Sequence, residues 1–187
     1  RGDYAFQILA ETAQGPLPFA TWHIHAGPPS TDADGADIAA ESQPTNSLQL
    51  LGAINRVRAR AGCEALRPDP MLAEVAQGRA IALAARGAVA HALVRDDSPV
   101  TRLNAAGISV DRVAENVARA HTIGEASSRL DASPSHRANR IDPAVDTVGI
   151  GVATVGDDVY LVELYAARPR IGAGARERVA TENENGR

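Results

Sequence analysis

Thr147-Val148-Gly149-Ile150-Gly151-Val152-Ala153-Thr154-Val155, then Gly156-Asp157-Asp158, then Val159-Tyr160-Leu161-Val162-Glu163-Leu164-Tyr165-Ala166-Ala167 is the stretch that decides the fold. Two runs rich in β-branched and aromatic residues flank a Gly-Asp-Asp turn, the pattern of a β-hairpin. Val148, Ile150, Val152 and Val155 mark the first strand. In the second, Tyr160, Val162 and Leu164 interleave with Leu161, Glu163 and Tyr165.

Upstream of the hairpin the period changes. Leu50, Leu51, Ile54, Val57, Arg58 and Ala61 recur at helical spacing, with Asn46 or Ser47 as cap and Gly62 as stop. Arg67-Pro68-Asp69-Pro70 reads as a turn launching a second helix. Leu72, Val75, Ala76, Arg79, Ala80, Leu83 and Ala84 form its face, and Gly87 ends it. Ser98-Pro99 starts a short helix that ends near Gly107. Residues 113–120 read as extended and 123–132 as helical. Helices gathered early with an antiparallel hairpin at the end argue an α+β fold, not a doubly wound parallel sheet.

The flanks differ in character. Tyr4, Phe6 and Ile8, a turn near Gly15-Pro16, and the run 19–25 predict a β-hairpin over residues 1–27. Two strands alone are marginal in water, so this hairpin reads as the end of a truncated β-sandwich domain. Residues 28–45, rich in Pro, Asp, Ser and Ala, read as a linker. The main domain is expected over 46–170. Residues 171–187 are small and charged and read as a disordered tail.

Composition limits what the chain can do. All 19 basic residues are Arg, scattered among 23 acidic ones, for a net charge of −4. Without clustered positive charge, no nucleic-acid partner is expected. The single Cys63 excludes an internal disulfide framework and a cysteine-rich zinc site. It reads as a small, partly buried residue near a helix end. No apolar run approaches the roughly 20 residues of a transmembrane helix. The start at Arg1, with no basic stretch leading into an apolar one, shows no signal peptide and suggests a fragment or a processed piece. Oligomeric state is not legible.

Five histidines are present. His91 follows the second helix, His136 lies in Ser133-Pro134-Ser135-His136-Arg137-Ala138-Asn139, and Glu115-Asn116 stands between them. A loop histidine taken alone is more often structural, so the case for these residues needs them to meet in space. If they do, two imidazoles and a carboxylate make a site able to hold a divalent ion such as zinc, with His91 and His136 as ligands. Without an ion, the carboxylate would orient a neighbouring ring. Asn116 is expected to bond backbone near the sheet, and Arg137 to pair with a carboxylate at the surface. Ser133 and Ser135 lie near His136, but no nucleophile elbow surrounds them. His23 and His25 share one face of the first hairpin's second strand, where two solvent-facing polar residues explain them as well as a metal half-site does. His121 has no partner in sequence.

From about residue 48 to 168 the chain resembles the bacterial branch of the CAP superfamily: cysteine-rich secretory proteins, antigen 5 and plant pathogenesis-related proteins. Leu51-Gly52-Ala53-Ile54-Asn55-Arg56-Val57-Arg58 and Asp69-Pro70-Met71-Leu72-Ala73-Glu74-Val75-Ala76 resemble its first two helices. Arg102-Leu103 with Ala106-Gly107, Ala114-Glu115-Asn116-Val117-Ala118 and the His136 motif follow in the family's order. Val148-Gly149-Ile150-Gly151-Val152 and Tyr160-Leu161-Val162 match its closing strands.

The resemblance implies an α–β–α sandwich with a central antiparallel sheet. It also implies a cleft holding His91, Glu115 and His136, which in some members binds a divalent ion. Three departures stand out. Leu130 and Ser133 occupy the positions of the Trp and second Glu of animal and plant members, with Asp131 as a poor substitute. Ala92-Leu93-Val94 replaces the usual Ser-Pro, and the eukaryotic disulfides are absent.

The reading that follows is a secreted or cell-envelope binding module, non-enzymatic, whose cleft takes a small or extended ligand: a lipid, a peptide or a cell-wall glycan. The alternative is a metal-assisted or acid–base hydrolase at the cell envelope, with Glu115 as base. A third is an interaction domain whose cleft is vestigial. Fold-level analogy does not decide among them.

Overall fold

The computed structural model describes residues 2–12 and 15–26 as backbone, and residues 43–94 and 97–168 with their side chains. The chain opens on an antiparallel hairpin, β1 (Gly2–Thr12) and β2 (Gly15–Ala26), with His23 opposite Ala5 and His25 opposite Asp3 in register. The side chains of His23 and His25, most of the expected linker and the expected tail lie outside the described residues.

Among the described residues, five helices and four strands follow. Helix α1 (Ser47–Arg60) starts at an Asn46 cap whose side chain accepts from the Gln49 amide. Helix α2 (Pro70–Arg86) is capped by Asp69, which accepts from the Met71 and Leu72 amides, and stops at Gly87, whose φ of 62° suits a residue without Cβ. The short strand β3 (Arg67–Pro68) lies between them. Helix α3 (Pro99–Ala105), strand β4 (Arg112–Ala120), helices α4 (Ile123–Ala132) and α5 (Pro134–Arg140), and strands β5 (Thr147–Val155) and β6 (Asp158–Ala167) come next.

The sheet runs β3-β5-β6-β4. Its three long strands are antiparallel, with Gly149 opposite Leu164 and Asn116 opposite Glu163. Two details correct the expectation from sequence. Arg67 and Pro68 are a fourth, parallel strand and not only a turn, so the sheet is mixed. The segment that carries His136 is itself a helix, α5. Its seven residues are too few and too polar for periodicity to reveal.

Alternation along the strands sorts side chains into two apolar layers. Leu161, Tyr165, Ala118, Ala120 and Val148 pack with Leu50, Leu51 and Ile54 of α1 and Ala126 and Leu130 of α4. Val162, Leu164, Ala166 and Val117 pack with Leu72, Ala76, Ala80 and Leu83 of α2 and with Leu103 of α3. A sheet covered on both faces by helices is an α–β–α sandwich. On the α2 side, β5 presents Gly149 and Gly151. A Cβ on Gly149 would run into the backbone of Leu72 and Ala73, and one on Gly151 into that of Ala76 and Gln77. These glycines let the helix lie directly on the strand. Gln77 then closes part of the edge of β5, its amide donating to Val152 O at 2.8 Å and accepting from Val152 N at 2.9 Å.

Candidate functional site

Strand β4 is an edge of the sheet, and its Glu115-Asn116 pair sends side chains to opposite faces. Both are buried. On the α2 face, Glu115 Oε2 lies 3.3 Å from His91 Nδ1. On the other face, Asn116 Nδ2 donates to the carbonyl of His136 at 3.0 Å, and Asn139 donates to Asn116 Oδ1 at 2.8 Å. Asn116 thus does bond backbone, and it also joins a side-chain network.

That network is anchored by the fully buried pair of Arg140 and Glu163, bound through both Arg140 Nε and Nη2. Asn116 Nδ2 and the Tyr165 hydroxyl donate to Glu163 Oε2 at 3.0 and 2.5 Å. Burial opposes the charge on Arg140, but the Glu163 carboxylate outweighs it and raises the guanidinium above its ordinary value. Burial first, then the Glu163 charge, pushes the Tyr165 hydroxyl well up, so it stays a donor. Asp131 pairs with Arg140 at 2.8 Å and sits 3.9 Å from the exposed Arg137, so it serves this network rather than the cleft.

His136 is held between Ser133 and the network. Its Nδ1 lies 2.9 Å from Ser133 Oγ. Burial, then the charges of His91 and Arg140, hold the imidazole below its ordinary value, against the opposing pull of Glu163.

The His91 loop is fixed by two guanidiniums. Buried Arg79 of α2 donates to Asp97 Oδ2 at 2.7 Å and to Ala90 O at 2.6 Å. Arg102 of α3 donates to Asp97 Oδ1 at 2.6 Å, and through Nη2 to both oxygens of Glu115, the longer contact being 2.9 Å. Leu93 N donates to Asp97 at 3.0 Å. Burial pushes the Asp97 carboxyl up, but the Leu93 amide and the two arginines win and hold it below the usual range. A groove of about 510 Å³ between α2, α3 and this loop is lined by Arg79, Asp97, Arg102, Leu93, Val75 and Ala106.

Sequence reasoning named His91, Glu115 and His136, and missed Arg79, Asp97, Arg102, Arg140 and Glu163. Two of these carried a signal: Arg79 falls on the apolar stripe of α2, and Glu163 stands between Leu161 and Tyr165 in a strand buried on both faces. A charged residue on an apolar stripe must bring its partner with it. His121 lies elsewhere, its Nδ1 3.1 Å from Asp157 O. Cys63 is half-buried, its Sγ 3.1 Å from Ile141 O.

A resident metal ion does not fit a three-residue set here. Arg102 covers both Glu115 oxygens, and Ser133 supplies a hydroxyl at the second-Glu position. Among the described residues no group of three or more His, Cys, Asp or Glu side chains could hold an ion.

Comparison with known proteins agrees with the architecture. The family model "CAP: Cysteine-rich secretory protein family" matches residues 51–165. An extracellular protein of Bacillus anthracis containing an SCP domain superposes with a TM-score of 0.58 at 23% identity, over 65% of this chain and 40% of that one. An outer surface protein of Borrelia burgdorferi gives 0.61 at 24%, over 65% and 91%. A cysteine-rich secretory protein of Staphylococcus aureus gives 0.50 at 20%, over 67% and 40%. The chain thus spans under half the length of the first and third. No curated protein sequence matches it. With the order of its helices and strands, the two-layered core and the family match over residues 51–165, the chain belongs to the CAP family of cysteine-rich secretory proteins.

Proposed function

We propose that this domain is a binding module of the extracellular space or cell envelope, and that its ligand contacts His91 and His136 at the β4 edge. The observation that supports this most is what the β4 dipeptide holds: Glu115 lies 3.3 Å from the loop residue His91, and Asn116 beside it donates to the His136 carbonyl of α5. Glu115 lies against the Nδ1 edge of the His91 ring and Ser133 against that of the His136 ring, and the proposed ligand meets the Nε2 edges. The adjoining groove, with apolar walls and guanidiniums, gives an extended ligand such as a lipid, peptide or glycan further surface. No described helix is long and apolar enough to cross a membrane. An extracellular setting fits the printed descriptions of the B. anthracis and B. burgdorferi proteins.

Hydrolysis with Glu115 as base is the weaker reading. A general base must be free to receive a proton, and both Glu115 oxygens already accept from Arg102. A divalent ion on His91 and His136 alone is a secondary proposal, resting on two donors.

The test is a screen with a long-chain fatty acid, a cell-wall oligosaccharide and a short-peptide library, read by the imidazole ¹⁵N shifts. One class should perturb His91 and His136, and lose at least tenfold in affinity to the His91→Ala/His136→Ala protein. Equal binding by both proteins would contradict the reading. Turnover that Glu115→Gln abolishes in a folded protein would favour the hydrolase.

A further inference from the structure

We infer that Arg102 is the specificity-determining residue of the cleft, because it withholds Glu115 from divalent cations. This rests on the cleft reading above. The geometry has three parts. Arg102 Nη2 donates to both Glu115 oxygens, so a cation approaching the carboxylate meets a guanidinium already in place. Arg102 is itself locked, because Nη1 binds Asp97, and Asp97 is tied to Arg79 and to the Leu93 amide. It cannot swing away without breaking the support of the His91 loop. Finally, the charges cancel: Arg79 and Arg102 balance Asp97 and Glu115, so the cluster offers no surplus negative charge to attract a cation.

Removing the guanidinium reverses the first and the last of these. Glu115 becomes a carboxylate without its guanidinium 3.3 Å from His91 Nδ1, the local balance turns negative, and a carboxylate oxygen and an imidazole nitrogen stand where one cation can take both. Arg102 thus decides whether the Glu115 carboxylate is open to a cation.

The experiment is zinc titration by calorimetry on the full chain, with circular dichroism to confirm folding. Arg102→Gln should bind zinc at least tenfold more tightly than wild type. The gain should vanish in Arg102→Gln/Glu115→Gln and in Arg102→Gln/His91→Ala. If Arg102→Gln does not fold, Arg102→Lys carries the test: its single ammonium cannot cover both oxygens, and a smaller gain is expected. No gain in any folded Arg102 variant, or a gain that survives Glu115→Gln, overturns the inference. Adding His136→Ala to Arg102→Gln separates the two claims. A gain that needs Glu115 and His91 but not His136 upholds the role of Arg102 and overturns the three-residue cleft.

Discussion

Glu115 and Asn116 are neighbours in one strand, yet they serve opposite faces of the sheet. Glu115 meets His91 and Arg102 in the α2–α3 layer, and Asn116 meets Glu163, Asn139 and the His136 carbonyl in the other. The pleat makes this unavoidable, since successive side chains alternate. Because β4 is an edge strand, one dipeptide can position a loop histidine on one side and a helix histidine on the other.

The Arg140–Glu163 pair should dominate stability among the polar groups. Both side chains are fully buried, and Glu163 also accepts from Asn116 and Tyr165. Removing one partner leaves a buried charge unpaired. Glu163→Gln should lower unfolding free energy by about 3–5 kcal/mol in urea titration. The double change Arg140→Met/Glu163→Leu should cost less than the sum of the two single changes.

Glycines of similar sequence appearance should respond with opposite sign. A Cβ at Gly151 would strike the backbone of α2, so Gly151→Ala should destabilise by about 1–3 kcal/mol or more as α2 is pushed off the sheet. At Gly78, inside α2, a Cβ meets nothing within 4 Å. Gly78→Ala should stabilise by about 0.5–1 kcal/mol. Thermal melts of both variants check the pair.

His136 should make stability pH-dependent just below neutrality. Its folded value lies below the ordinary 6.5. Below pH 6.5 the unfolded chain therefore holds a proton that the folded chain does not, and the free energy of unfolding falls as pH falls through that window. Asp69 and Asp97, also lowered, act the same way only below their ordinary 3.8. Urea unfolding at pH 7.5 and 5.5 should show a larger loss for wild type than for His136→Gln. Equal losses would mean that His136 is not held neutral by its surroundings.

The fold was legible because periodicity survives in each long element. The stripe Leu50, Leu51, Ile54 and the interleaved faces of β6 point to the layers they occupy. The motif order singled out His91, Glu115 and His136, and of these the structure sets Glu115 beside His91. What was not legible is pairing at a distance. Arg58 reads as one member of an apolar helix face, yet it is fully buried because it donates to the carbonyls of Glu64, Arg140, Asp142 and Val145. Arg102 reads as a motif residue, and its hold on Glu115 exists only once α3 is laid against β4. Such partners are set by packing, which no local spacing encodes.

Proximity of His91 and His136 is most directly tested by titrating the imidazole resonances of wild type, His91→Gln and His121→Gln. Removing the His91 charge should move the His136 midpoint upward, while His121→Gln leaves it in place. A His136 midpoint unmoved by His91→Gln would show that the two rings do not share a cleft.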